Sequence, residues 1–349
     1  MMPVMAFAGT ATSADYADAS SIQYKEAVDV LSSIGVIDGV GNGLFKPNGN
    51  VTREQAAKII CTMLLGDKAE KLATHTAPFK DVAADRWSAP YIAYGVELGI
   101  LAGVGNGNFN PTGNVTGLQF AKMLLVALGY DARIEKLEGD TWGVRTSALA
   151  EDNGLFEGNS KIVPNAAATR EEASLYAFNA LSADMVKYAN KGTEIVLSDG
   201  TKVIVGASAA EKVANTASKT IKNDPIMQFA EKYFDKLVLD LDTANDDFGR
   251  PANKWTNDGA KIGTYDTKTP VKTYTTAQKE KDIFSDLGAE GISGSSAKYV
   301  VMDQIYVDGK LVAESKSIGT DQYEADSKYT SPINETVIIA KGDTSNTAG

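Results

Sequence analysis

Gly39-Val-Gly-Asn-Gly-Leu-Phe-Lys-Pro-Asn-Gly-Asn-Val-Thr52 returns 64 residues later as Gly103-Val-Gly-Asn-Gly-Asn-Phe-Asn-Pro-Thr-Gly-Asn-Val-Thr116. A third, weaker copy runs from Gly158-Asn-Ser-Lys-Ile-Val-Pro164 to Thr169, 53 residues after Thr116. Self-similarity on this scale marks a repeat architecture, in which one copy cannot bury its apolar face without its neighbours.

Working outward, each copy has the same parts. An aromatic residue comes first: Tyr24, Trp87 and Trp142. An apolar helical pattern follows, as in Ala27, Val28, Val30, Leu31 and Ile34. A Gly-x-x-x-Gly ends it, at Gly35 and Gly39, Gly99 and Gly103, Gly154 and Gly158. The first glycine suits a left-handed helix C-terminus. After a turn of Asn, Gly and Pro, a second helix starts at Thr52-Arg-Glu-Gln55, Thr116-Gly-Leu-Gln119 and Thr169-Arg-Glu-Glu172. All three match the capping box, so helix initiation alone explains the Thr and the Gln or Glu. Apolar residues then keep the helical period: Ala56, Ile59, Ile60 and Met63; Phe120, Met123 and Leu124; Leu175, Phe178 and Leu181. Capping does not explain Arg53 and Arg170. A cation in the first turn opposes the helix dipole, and a residue placed against local preference is a candidate for function or for a specific ion pair. Glu54 and Glu171 beside them read as the dipole-favoured choice.

Composition excludes several classes. The 349 residues carry a formal net charge of −11, which argues against a nucleic-acid binder, since phosphate neutralisation needs a basic face. No apolar run is long enough to span a membrane. The single cysteine, Cys61, cannot form an internal disulfide and reads as a small core residue. The single histidine, His75, lies in a polar linker with no partner for zinc or a triad. The Gly-rich loops lack a Gly-Lys-Ser/Thr and a preceding strand, so they are turns rather than phosphate cradles. No metal, cofactor or catalytic constellation is read from the residues, and the chain is read as a non-enzyme. Ala6-Phe7-Ala8 fits the small-x-small pattern before a signal-peptidase cut, so residues 1–14 read as the remnant of an export signal.

The ordered set resembles the S-layer homology family: Phe79-Lys-Asp81, Trp87, Gly99-Ile-Leu-Ala-Gly103, Gly107-Asn-Phe-Asn-Pro111, and Thr52-Arg-Glu-Gln55 with Thr169-Arg-Glu-Glu172. The resemblance covers residues 15–188. It implies an all-α trimer of helix-loop-helix repeats about a pseudo-threefold axis, with repeats at 15–67, 78–130 and 131–188. It implies grooves that bind an anionic, often pyruvylated, secondary cell-wall polysaccharide. By the same resemblance Asp18 and Asp81 take part, Trp87 and Trp142 line sugar faces, and Arg53 and Arg170 pair with a sugar carboxylate. Gly99, Gly103, Gly154 and Gly158 let sugar approach the backbone. Arginine's planar donor fork suits a carboxylate, and an aromatic face suits ring C–H groups. Repeat 2 departs from the pattern at Gly117 and Leu118, where Arg and Glu are expected. One or two competent grooves are therefore expected, not three.

The pattern changes after residue 190. Glu194 to Val205 is two apolar runs around Asp199-Gly200, a hairpin signal. Lys298 to Val312 is another, turning at Asp308-Gly309, and Thr336 to Ala340 is a further strand. Ile226 to Leu237 reads as a helix with Phe229, Tyr233 and Leu237 on one face, and a turn at 246–255 brings Trp255 into a small core. Asp240, Asp242, Asp246 and Asp247 read as a solvated acidic loop rather than a calcium site. The end, Gly342 to Gly349, is linker-like and predicts further modules.

The fold class is thus α+β multidomain, with a β-rich surface module at 190–349. The expected function is non-covalent anchoring to the bacterial cell wall, with polysaccharide or peptidoglycan and self-association in a surface array as partners. The alternative is a wall-anchored glycan-active enzyme or adhesin with its activity in or beyond the second half.

Overall fold

A computed structural model of the chain describes residues 12–73, 78–200, 202–241, 252–267, 272–274, 300–307, 310–314, 317–318 and 336–340. Almost all of the expected signal remnant, His75, the acidic residues at 242–250 and the Asp308-Gly309 turn lie outside the described residues. The fold is mixed α+β, with helices early and small antiparallel sheets after them. The chain divides into two compact units, Met1–Leu241 with Trp255–Gly263, and Asp242–Lys254 with Thr264–Gly349. Residues 190–241, expected to open the β-rich module, cluster with the repeats.

The first unit contains α1 (Lys25–Ser33), α2 (Arg53–Leu65), α3 (Ala89–Glu97), α4 (Gly117–Ala127), α5 (Trp142–Asp152) and α6 (Arg170–Leu181). The odd-numbered helices end alike. Gly35, Gly99 and Gly154 sit at φ 71°, 70° and 67°. The next residue's N–H reaches back into the last turn: Val36 to the Leu31 carbonyl, Ile100 to Gly95 and Leu155 to Ala150. This is the Schellman arrangement, and glycine occupies its left-handed position without steric cost. The even-numbered helices begin alike. Thr52, Thr116 and Thr169 accept from the N–H three residues on, and Gln55, Gln119 and Glu172 return the bond to the threonine N–H at 2.9, 3.0 and 2.8 Å.

Packing follows a cycle. Helix α2 packs on α3, α4 on α5, and α6 back on α1. The strand-like residues before the capping threonines form a closed ring of backbone hydrogen bonds. The Val51 N–H donates to the Ala168 carbonyl, Ala168 to Val115 and Val115 back to Val51, at 2.9, 2.9 and 3.0 Å. The helices bury Val28, Leu31, Ile60, Met63, Ile92, Phe120, Leu124, Tyr176 and Leu181. Cys61 is also buried, its thiol pushed up to about 12 by burial, which makes it a core residue and a poor nucleophile.

Beyond α6 the same unit adds β1 (Val186–Tyr188), paired with β4 (Ala210–Lys212), and the hairpin of β2 (Thr193–Val196) and β3 (Lys202–Val205). The region expected to be helical from Ile226 to Leu237 forms only one turn, α7 (Phe229–Tyr233), and Leu237 instead opens β5 (Leu237–Leu239). The reason is tertiary. Glu231 is buried and its carboxylate accepts from the N–H groups of Ile221 and Gln228 and from the Asn215 side chain. Phe234 leaves helical geometry, and Leu237 pairs with Asn257 on β6 (Ala252–Asn257). Trp255 on β6 is fully buried, stacked edge-on against Phe178 at 5.5 Å, and donates its Nε1–H to Glu26 at 2.6 Å. Strand β7 (Ala260–Asp266) completes that sheet.

In the second unit, β8 (Lys272–Tyr274), β9 (Val300–Val307), β10 (Lys310–Glu314) and β12 (Thr336–Ala340) form an antiparallel sheet in the order β10-β9-β12-β8. The short β11 (Ser317–Ile318) also pairs with β9.

Candidate functional site

Asp18 and Asp81 each hold a loop. Asp18 accepts the N–H groups of Phe45 and Lys46 at 2.9 and 2.7 Å, and Asp81 those of Phe109 and Asn110 at 2.8 and 2.7 Å. The two bonds fix the turn after each phenylalanine, where Lys46 and Asn110 take left-handed backbone at φ 57° and 58°. Phe45 and Phe109 are fully buried beneath the loops. The rings of Tyr16 and Phe79 pack on them at 5.4 and 5.3 Å.

Each loop then receives an arginine from another copy. Arg170 donates Nε–H to the Phe45 carbonyl at 2.8 Å and Nη2 to the Asp38 carbonyl at 2.7 Å, with its guanidinium 4.8 Å above the Phe45 ring. Arg53 does the same to Phe109 and Ala102, at 2.8 and 2.6 Å, with its guanidinium 4.5 Å above the Phe109 ring. The arginines tolerate the helix N-terminus because they lie across these carbonyls and ring faces. Among the described residues neither forms an ion pair with a carboxylate. Each fork has five N–H donors, and the two carbonyls take one from Nε and one from Nη2.

The electrostatics are matched at both loops. Burial pushes the Asp18 carboxyl up. The N–H groups of Phe45 and Lys46 and the nearby Arg170 outweigh it, leaving the group below its ordinary value. Asp81 is held down in the same way against burial, by Phe109, Asn110 and Arg53. Burial lowers both arginines from their ordinary value, against the aspartates beside them.

Helix α4 presents Gly117 and Leu118 at the corresponding place. Their N–H groups donate to the Ala166 and Pro164 carbonyls, just as Arg53 and Glu54 donate to Gly113 and Pro111, and Arg170 and Glu171 to Gly49 and Pro47. The backbone contact survives there without the guanidinium.

The two glutamates do more than favour a dipole. Glu54 takes a bidentate pair from Arg86, at 2.8 and 2.9 Å, and the Ser88 hydroxyl at 2.7 Å. Glu171 accepts the Gln23 N–H at 2.9 Å. Each ties a second helix to the start of the first helix that packs on it. Leu118 makes that tie by packing: it is buried, and its Cδ2 lies 3.4 Å from where a Cβ on Gly143 would be.

The remaining expected site residues divide. Trp87 is 51% exposed, just before α3 and 6.2 Å from Tyr91, so it is not a core residue. Trp142, at the start of α5, is half-buried. Gly99 and Gly154 are the helix-ending glycines already described, and Gly158 is also left-handed at φ 83°. What approaches Gly103 is the chain's own Phe79 ring, 2.6 Å from an added Cβ. Tyr16 stands in the same relation to Gly39, at 2.8 Å. The structure thus brings Asp18 to Arg170 and Asp81 to Arg53, each across a phenylalanine. Reading the sequence left out Tyr16, Phe45, Phe109 and Arg86 as parts of this arrangement. The signal for the phenylalanines was present, because each lies between the repeated glycine and proline.

This construction marks a repeat protein whose loops and helices are shared between copies. The S-layer homology domain model matches residues 15–57 and 78–121. The chain carries S-layer homology domains at those residues. It is 32% identical over 216 residues to a cell surface protein of Thermoanaerobacter kivui, covering 62% of this chain and 26% of that one. It is 30% identical over 217 residues to the surface-layer 125 kDa protein of Lysinibacillus sphaericus, covering 57% and 18%. It is also 34% identical over 146 residues to an uncharacterized cell wall amidase of Bacillus anthracis, covering 39% and 27%. The chain therefore spans about a quarter or less of each of these relatives. It is a surface protein of the extracellular cell wall or S-layer. No helix among the described residues is long and apolar enough to cross a membrane.

Proposed function

We propose that the three copies form a pseudo-threefold trimer of repeats that holds the chain to the wall by binding an anionic, pyruvylated secondary polysaccharide in its inter-repeat grooves. The β-rich module after the repeats contributes to a surface array, and the chain itself is not an enzyme. One observation carries the binding reading. The Asp–Phe–Arg set recurs at two junctions, while the third keeps the same backbone bonds with Gly117 in place of arginine. The scaffold thus closes without the guanidinium, so the two retained arginines supply something beyond closure. A preorganised guanidinium with spare donors offers a bidentate partner to a sugar carboxylate. Trp87 adds an exposed face for ring C–H groups. Two modest sites on one polymer strand gain affinity by effective concentration.

The test is sedimentation of the full chain with purified sacculi, before and after hydrofluoric-acid removal of the secondary polysaccharide. Binding to intact sacculi only is expected. Arg53→Ala with Arg170→Ala is expected to abolish it. Those arginines also bond the backbone, so Trp87→Ala, at a half-exposed position, provides a second variant that leaves the melting temperature unchanged. Wild type that ignores intact sacculi, or binds stripped ones equally, would overturn the reading. The likeness to an amidase over 39% of the chain favours a second reading, a wall-anchored glycan-active enzyme. Release of new amino or reducing ends from sacculi by this chain would establish it.

A further inference from the structure

The hairpin of β2 and β3 is amphipathic in an inverted sense. In its register Thr193 lies opposite Val205 and Ile195 opposite Val203, so these four side chains share one face, with Leu197 just beyond β2. Ile195, Leu197 and Val205 on that face are 44%, 45% and 52% exposed. The other face carries the charges. Glu194 takes Lys202 at 2.8 Å and lies 4.0 Å from Arg133 of the third copy. The hairpin thus turns its ionic face to the repeat and its apolar face to solvent, an arrangement that marks an interaction surface.

The hairpin is also short of strands. It is a two-stranded sheet. Two strands alone are marginal in water, whereas three or more with an apolar face are stable. All four residues of β2 are exposed, and among the described residues no backbone hydrogen bond reaches them from outside the hairpin. Such an edge is a template for another strand.

The sequence of β2 selects the strand that fits. Laid antiparallel on a second β2 about Ile195, it sets Ile195 opposite Ile195, Thr193 opposite Leu197, and Lys191 opposite Asp199. The apolar face then continues from one hairpin to the other, and the charges that meet are of opposite sign. Lys191 stays 64% exposed although Asp131 lies 3.6 Å away. A register centred on Glu194 brings like charges together, which is unfavourable. One centred on Val196 sets Lys191 opposite the neutral Thr201.

We infer that β2 is a self-association edge, through which two copies of this chain join their hairpins into one four-stranded antiparallel sheet. A strand pairing of this length covers on the order of a few hundred Å² per copy, below the roughly 800 Å² of a stable dimer, so it acts among chains concentrated on one surface. The inference rests on the surface-array reading above and names a surface for it.

The experiment is diamide oxidation of cysteine variants of the full chain, at rising concentration and on sacculi. Residues directly opposite across an antiparallel pair hold their Cα atoms about 4.5–5.5 Å apart, within disulfide range. The natural Cys61 is buried, so wild type gives the background. Ile195→Cys is expected to form a disulfide dimer. Thr193→Cys and Leu197→Cys are each expected to stay monomeric alone and to crosslink when mixed. Ile195→Lys, at an exposed position, is expected to keep the melting temperature and to weaken self-association at least about tenfold in sedimentation velocity. Absence of the Ile195→Cys dimer, or equal crosslinking by all three single variants, would overturn the inference. Undiminished association of Ile195→Lys overturns it too and leaves the array reading standing. Wild type that stays monomeric both in solution and on sacculi overturns the array reading with it.

Discussion

The junction that Arg53 makes with the second copy and the one that Gly117 makes with the third share a backbone and differ in side chains. Both helices start with a capping threonine, and both send their next two N–H groups to carbonyls of the facing loop. At the first, the loop carries a buried phenylalanine, an arginine on its ring and an aspartate behind it. At the second, Leu118 packs against the start of α5, and the place of an arginine side chain is taken by Gly117 beside the Tyr176 ring. The contact between copies therefore belongs to the backbone and its caps. The charged set is a separate layer, kept at two places and lost at one.

The sharpest way to break this comparison is Phe109→Ala. It removes a fully buried ring and the face on which Arg53 lies. A loss of about 3–5 kcal/mol is expected from denaturant melts; a cost below about 1 kcal/mol would mean that the loop does not depend on its aromatic. Next is Glu54→Ala, which leaves Arg86 and Ser88 without their acceptor. The expected cost is about 2 kcal/mol, and a negligible cost would show that the Leu118 type of tie suffices everywhere. Each of Thr52→Ala, Thr116→Ala and Thr169→Ala is expected to cost about 1 kcal/mol, equally at all three junctions. A cap that mattered only beside an arginine would refute the separation of layers.

Acid sensitivity sharpens the same point. Asp18 and Asp81 sit below their ordinary values when folded, so the unfolded chain binds their protons first. Their stabilisation is complete above the ordinary carboxylate range, near pH 4, and fades as pH falls through the lower folded values. Melting curves across that window should fall less steeply for Asp18→Asn and Asp81→Asn than for wild type. The smallest effect is expected at Gly117→Ala. An added Cβ there meets only ordinary contacts, 3.6 Å from the Pro164 carbonyl and the Tyr176 ring. A gain of about 0.5 kcal/mol is expected from the reduced freedom of the unfolded chain, with no change in sacculus binding.

The repeats were legible in the sequence because their signals are local. Capping boxes and helix-ending glycines act within a few residues, and they recur at Thr52, Thr116 and Thr169 and at Gly35, Gly99 and Gly154. What could not be read was the exchange between copies. Nothing near Arg170 in the chain announces that it lies over Phe45, since their relation exists only once α6 packs on α1. Glu54 passed for a dipole-favoured residue for the same reason: its partners, Arg86 and Ser88, belong to another copy. Leu237 fitted a helical face by spacing, yet its pairing with Asn257 decided for a strand. In each instance a long-range partner outweighed a short-range pattern.

The ring of bonds through Val51, Val115 and Ala168 also sets an order of events in time. Its last member enters the chain 117 residues after its first, and contacts so distant in sequence close late because loop entropy must be overcome first. A chain emerging N-terminus first holds Phe45 and its loop long before Arg170 arrives to lie over the ring. The contact of Arg170 with the first copy is thus absent from a partly emerged chain and forms when the final helix docks.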